Sequence, residues 1–193
     1  ERGAPLKTPV KKDKFLFLTK KFSMRLPTPP QMHNKGNYII SLGEFGKFLA
    51  QEAEKLGSEI FAGFAASELL YDANDNVIGV ATGDVGLDKH RQPTDRFMAG
   101  VEIHARQIIL AEGCRGSLTK KLIAKFNLAQ SSDPQTYGLG VKEVWEIDKN
   151  MHQAGLVIHT IGWPMDYKTY GGSFMYHYGD NLVSIGYVAV SYT

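Results

Sequence analysis

Apolar side chains recur at helical spacing in two stretches of the chain; elsewhere they alternate with polar ones or run together briefly. Phe45, Phe48, Leu49, Ala53 and Leu56 fall on one face of a 3.6-residue repeat. Ser41-Leu42-Gly43-Glu44 precedes them as a capping box, with serine at the cap and glutamate three residues on. Gly57 follows as a natural stop, so a helix is predicted over about 42–56. Leu118, Leu122, Ile123 and Phe126 predict a second helix, with Ser117 as its cap.

Short strands are predicted between and after these helices. Ser67–Tyr71 and Val77–Ala81 flank the turn cluster Asp72-Ala73-Asn74-Asp75-Asn76 and read as a hairpin. Val101–Ala105 alternates as a half-buried strand does. Gln107-Ile108-Ile109-Leu110 is a short apolar run, suiting a strand covered on both faces. From Thr136 onward the pattern is mostly strand, punctuated by Gly and Pro. Residues 1–36 are rich in Pro and Lys around one apolar island, Phe15-Leu16-Phe17-Leu18.

Composition adds boundaries. The 193 residues suit one ordinary domain or parts of two, 43% hydrophobic and 22% charged, as soluble globular chains are. A net charge of +2 gives no case for nucleic acid. Nothing reads as a secretory signal, and no apolar stretch approaches the roughly 20 residues that span a bilayer as a helix. The one cysteine, Cys114, cannot make an internal disulfide or hold a four-iron cluster, and it reads as a small buried packing residue. The six histidines show no metal-ligand spacing and read as surface or hydrogen-bonded core residues. Trp145 and Trp163 are expected in a core, and Asp84, Asp88 and Asp95 are expected to flank a loop as solvated residues.

Two segments carry candidate chemistry. Ile108–Leu110 leads through Ala111-Glu112-Gly113-Cys114-Arg115-Gly116 into a helix start, where small residues admit a flat ligand and unpaired amides favour an anion. An ordinary strand–helix connection has the same pattern, and the chain has no G-x-G-x-x-G. Thr169-Tyr170-Gly171-Gly172-Ser173-Phe174 sets two glycines inside an aromatic strand. Glycine there marks either a β-bulge or a close approach of ligand to backbone.

Taken in order, these segments resemble the electron transfer flavoprotein–ubiquinone oxidoreductase family. The resemblance rests on Gly3-Ala4-Pro5-Leu6, Gly36–Gly43, Asp84-Val85-Gly86, Ala111-Glu112-Gly113-Cys114, Pro134–Gly140 and Thr169–Phe174. It implies an α/β fold in which part of an FAD-binding domain is interleaved with a β-rich ubiquinone-binding domain. Residues 1–40 would be a membrane-contacting, quinone-side segment, 41–128 a partial FAD-binding domain, and 129–193 an incomplete quinone-binding domain. It implies electron flow from reduced electron transfer flavoprotein, through FAD and a 4Fe-4S cluster, to ubiquinone. The FAD fingerprint and the cluster cysteines are expected outside this chain, leaving the fragment alone inactive and with weak or no flavin. The rivals are an FAD-dependent hydroxylase or polyprenyl reductase, and a non-catalytic membrane- or lipid-binding module.

The resemblance also implies site residues. Gly171 and Gly172 would bring their backbone to a quinone carbonyl. Ala65, Ala66, Ala111, Glu112 and Gly113 would lie near the adenosine half of FAD. Pro9–Phe22 sets the apolar island between lysine pairs. It reads either as a solvated loop folding its phenylalanines onto the core or as a monotopic anchor, with Phe15 and Leu18 at a tunnel mouth. The expected location is the mitochondrial inner membrane or a bacterial cytoplasmic membrane.

Overall fold

The apolar island does not stay a loop. Lys12–Leu18 alternates well enough to enter a sheet, and in the computed structural model, which describes residues 3–166 and 168–190, it lies within one. The strands before the first helix are β1 (Thr8–Pro9), β2 (Lys12–Leu18), β3 (Ser23–Leu26) and β4 (Tyr38–Ile39). Helix α1 (Leu42–Lys55) follows. Then come β5 (Ala66–Tyr71), β6 (Val77–Thr82), β7 (Val85–Leu87), β8 (Pro93–Met98), β9 (Glu102–His104) and α2 (Leu118–Phe126). The chain closes with β10 (Gly138–Glu146), β11 (Leu156–Gly162), β12 (Tyr170–Tyr178) and β13 (Leu182–Val190). The described residues are mostly β-sheet with two α-helices, and they cluster into two compact units, 1–58 with 135–193, and 59–134.

The first unit is built on a six-stranded sheet in the order β10-β13-β12-β11-β2-β3. All neighbours are antiparallel except β11 and β2. Directly opposed residues share a face. The row Phe15–His159–Phe174–Gly186 therefore puts one phenylalanine, a histidine and a second phenylalanine side by side. Gly186 is glycine because a β-carbon there would run into the Phe174 ring. Leu156, Val157 and Val183 are at most 3% exposed and form the centre of this unit, with Phe15 at 9%. Helix α1 runs close to the predicted span. Ser41 Oγ accepts the Glu44 amide at 3.4 Å, and Gly57 follows at φ +91°.

The second unit holds the predicted hairpin, β5 and β6, with β9 beside β6. Asp72 closes its turn by accepting the amides of Asn74 and Asn76 and the Asn76 side chain, each at 2.8 Å. These bonds to the carboxylate lower its pKa. The stretch around Asp84–Asp95, expected as a loop, forms a second hairpin, β7 with β8.

Other expectations change. Gln107–Leu110 is not a strand. No strand runs beside it among the described residues, so its backbone lacks the ladder that an extended run needs. Ile109 is 85% exposed rather than covered. Ser117 starts α2 but does not cap it: Glu112 takes that place, with Oε1 3.0 Å from the Leu118 amide and Oε2 2.7 Å from that of Thr119. A carboxylate accepts two amides where a serine hydroxyl reaches one, and its charge suits the helix N-terminus. Trp145 and Trp163 are half exposed, because Trp145 stands on edge strand β10 and Trp163 lies just past the end of β11. Cys114 is exposed, in the turn before α2.

Candidate functional site

Gly171 and Gly172 sit near the start of β12, in an unbroken register with β13 from Tyr170–Val190 to Tyr178–Leu182. There is no bulge. The glycines are instead required by how closely the neighbouring backbone approaches. A β-carbon at Gly172 would collide with the Thr160 carbonyl oxygen, and one at Gly171 with the Val188 carbonyl oxygen. On the other edge of β12, pairing with β11 ends at Thr160–Ser173. There the Ser173 amide donates to Thr160 Oγ1 at 3.3 Å. From Gly172 backwards β11 no longer pairs with this edge of β12.

A hollow of about 440 Å³ opens at this point. Its wall includes Gly171, Gly172, Phe15, Phe174, His159 and Ile161. The volume falls within the roughly 300–1,000 Å³ of small-molecule sites, and the lining is aromatic and aliphatic with few polar groups. Phe15, expected at a membrane-facing mouth, is a buried wall of this hollow, packed there because β2 pairs with β11. Leu18 lies three residues on and therefore faces the other side of the sheet. It lines a separate hollow of about 410 Å³ with Trp163 and Tyr187, and the two hollows share only Ser173. The structure thus brings together three of the four residues expected at a quinone and sets Leu18 apart.

Two neighbours were passed over in the sequence. His159 stands opposite both Phe15 and Phe174, and its Nε2 is 2.8 Å from the Tyr176 hydroxyl. Burial lowers the histidine's pKa, partly offset by the negative charge of Asp13. Burial also raises that of Tyr176. The pair is therefore neutral near pH 7, an imidazole against an intact phenol. Asp13 is fixed by Asn34, whose backbone amide and side-chain amide donate to it at 3.1 and 2.8 Å. The period-two alternation of β11 does place His159 and Ile161 on one face. Which face meets Phe15 depends on the β2–β11 pairing, which sequence spacing does not reveal.

The expected adenosine-side residues lie in the second unit. Ala65, Ala66, Ala111, Glu112 and Gly113 are exposed. The hollow found in that unit, about 240 Å³, is lined by other residues, among them Leu69, Arg106, Ile108 and Leu122. Glu112 holds the first amides of α2, the position an anion would occupy, and the Thr119 hydroxyl together with these amides drives its pKa down to about 2. The five positions therefore form no cradle for a flavin diphosphate by themselves. Among the described residues no cluster of three or more His, Cys, Asp or Glu could hold a metal, and Cys114 alone cannot bind an iron–sulfur cluster.

Residues 137–193, which contain the glycine pair, match the family described as ETF-QO, ubiquinone-binding. That stretch, and not the whole chain, is similar to the ubiquinone-binding class.

Along 97% of its length it is similar to mitochondrial electron transfer flavoprotein–ubiquinone oxidoreductases. It is 55% identical over 188 residues to that of Dictyostelium discoideum, 50% over 190 to that of Arabidopsis thaliana, and 48% over 192 to that of Mus musculus. The resemblance read from the ordered segments stands. The chain spans about a third of the length of these relatives: 31%, 30% and 31%.

Proposed function

We propose that the first unit is the quinone-binding part of an enzyme that passes electrons from reduced electron transfer flavoprotein to ubiquinone. One observation carries this reading: the residues that match the ubiquinone-binding family contribute the glycine pair to an apolar hollow of about 440 Å³ that also contains Phe15. A quinone head is flat and apolar, with carbonyl acceptors at opposite ends. An aromatic slot with closely approaching backbone suits it. Gly171 and Gly172 bring main chain to one carbonyl, while Phe15 and Phe174 cover the ring. Leu18 takes no part in the ring site on this reading.

FAD and a 4Fe-4S cluster supply the electrons in the complete protein. With one cysteine and no G-x-G-x-x-G, these 193 residues do not by themselves hold either group, and no step of the chemistry is placed on the second unit. That unit, inserted between the two halves of the first, is read as part of an FAD-binding domain interleaved with the quinone side.

The protein acts at a membrane surface, in the mitochondrial inner membrane. The β2–β3 hairpin supports this: its tip carries Lys20, Lys21 and Phe22, with Phe22 63% and Met24 51% exposed. Each lysine near an anionic surface adds about 1 kcal/mol. An inserted phenylalanine adds roughly 1.5–3 kcal/mol. No helix among the described residues is long and apolar enough to cross a membrane.

The test is a photoreactive short-chain ubiquinone and the full-length protein. Crosslinks should fall on Tyr170–Phe174 and on β2 near Phe15, and untagged ubiquinone should suppress them. Labelling confined to other segments would show that the ring binds elsewhere.

A further inference from the structure

The glycine hollow has a neighbour on the same face of the sheet. This second hollow, of about 490 Å³, is lined by Asn34, Tyr38, Val157 and Tyr176 among others. His159 is the one residue that lines both. Its Nε2 is engaged with the Tyr176 hydroxyl, and Tyr176 belongs to the second hollow alone. Among the described residues, Nδ1 has no hydrogen-bond partner.

We propose that His159 is the proton donor to the ligand in the glycine hollow, recharged through Tyr176 from water in the second hollow. The inference rests on the quinone reading given above. Reducing a quinone to a hydroquinone takes two electrons, from the flavin and iron–sulfur centres of the complete protein, and two protons. At the oxygen facing the histidine, the Nδ1–H bond breaks and an O–H bond forms. Nε2 takes the Tyr176 hydroxyl proton in the same passage, and water in the second hollow returns a proton to the phenolate; once product has left, rotation of the imidazole carries the new N–H to the glycine hollow and completes the cycle. The other oxygen, held at the glycine backbone, takes its proton from water as product leaves.

The surroundings suit a relay that starts and ends uncharged. Asp13 on β2 is the one carboxylate acting on the imidazole, Tyr176 faces it from β12, and Tyr38 of β4 lines the second hollow. Lys12 and Lys14 stand on the opposite face of β2, as the alternation from Phe15 requires. Burial keeps His159 neutral and Tyr176 protonated near pH 7, so that in the Nδ1–H tautomer Nε2 accepts from the hydroxyl.

The experiment uses the full-length holoprotein with reduced electron transfer flavoprotein as donor and a short-chain ubiquinone as acceptor. His159→Gln, Tyr176→Phe and Gly172→Ala are compared for turnover, solvent deuterium isotope effect and equilibrium ubiquinone affinity. His159→Gln should bind ubiquinone within about twofold of wild type yet lose turnover on the order of 100-fold, with a rate that falls as pH rises from about 6 to 9 and an enlarged isotope effect. Tyr176→Phe, which removes only the hydroxyl, should move the pH profile the same way, and added imidazole should restore turnover to His159→Ala. Wild-type pH profiles and isotope effects in both His159→Gln and Tyr176→Phe would overturn the relay. So would a turnover loss explained wholly by weaker binding. Failure of the quinone reading has a different signature: Gly172→Ala would then leave ubiquinone affinity unchanged.

Discussion

Replacing Gly172 by alanine tests the physical core of the site. The added β-carbon would meet the Thr160 carbonyl oxygen well inside contact distance, and that oxygen is backbone, which cannot rotate away. Relief requires β11 and β12 to part by about 1 Å at this point, an overpacking strain of about 1–3 kcal/mol. The same shift moves His159 and Ile161, which wall the hollow on the β11 side. Ubiquinone affinity in the intact protein should fall about tenfold, equivalent to about 1.4 kcal/mol, and thermal stability should fall as well. Gly138→Ala is the control on the same sheet. A β-carbon there would touch Val188 Cγ1 at 3.7 Å and Val190 Cγ2 at 3.9 Å, ordinary contacts. Its cost should stay within about 0.5 kcal/mol. Equilibrium titration with a short-chain ubiquinone and thermal unfolding measure both quantities. If Gly172→Ala matches Gly138→Ala in both, the close-approach reasoning is wrong.

Other predictions follow from burial, exposure and charge. Phe15→Ala should destabilise the intact protein by about 3–5 kcal/mol in chemical denaturation, since Phe15 is a core residue, 9% exposed. Phe22→Asp should weaken binding to anionic liposomes without changing the unfolding midpoint, because Phe22 is 63% exposed on the hairpin tip; unchanged liposome binding would remove that tip from the membrane contact. Glu112 has its pKa lowered from 4.5 to about 2 by the amides and hydroxyl it accepts, so its support of α2 is full above 4.5 and is lost as pH falls through about 2. Amide exchange at Leu118 and Thr119 should accelerate over that window, and in Glu112→Ala it should be fast at all pH values. His159 and His177 are both lowered from 6.5 by burial, His177 also by the charges of His152 and Lys14. The folded state then binds fewer protons than the unfolded one, so stability should fall as pH drops below about 6.5. Thermal unfolding between pH 8 and 5 should show the loss, and His177→Gln should reduce it.

Local chemistry in the sequence determined much of this protein. The spacing of Phe45 through Leu56 with Ser41 and Gly57 fixed α1, the Asp72–Asn76 cluster fixed its hairpin, and the glycine pair flagged an unusual place in β12. These signals are short-range: a helix face, a turn carboxylate and a missing β-carbon act over a few residues, so spacing reveals them. What the tertiary structure decided is which distant segments meet. Only the parallel pairing of β2 with β11, some 140 residues apart, buries Phe15, sets it beside His159 and the glycines, and leaves Leu18 on the opposite face. In the second unit, Gln107–Leu110 has no strand beside it among the described residues, and the amides at the start of α2 go to Glu112 rather than Ser117. Pairing depends on backbone edges and faces becoming available together, which residue pattern constrains but does not specify. The hollow and its histidine wall therefore exist only once the sheet has closed.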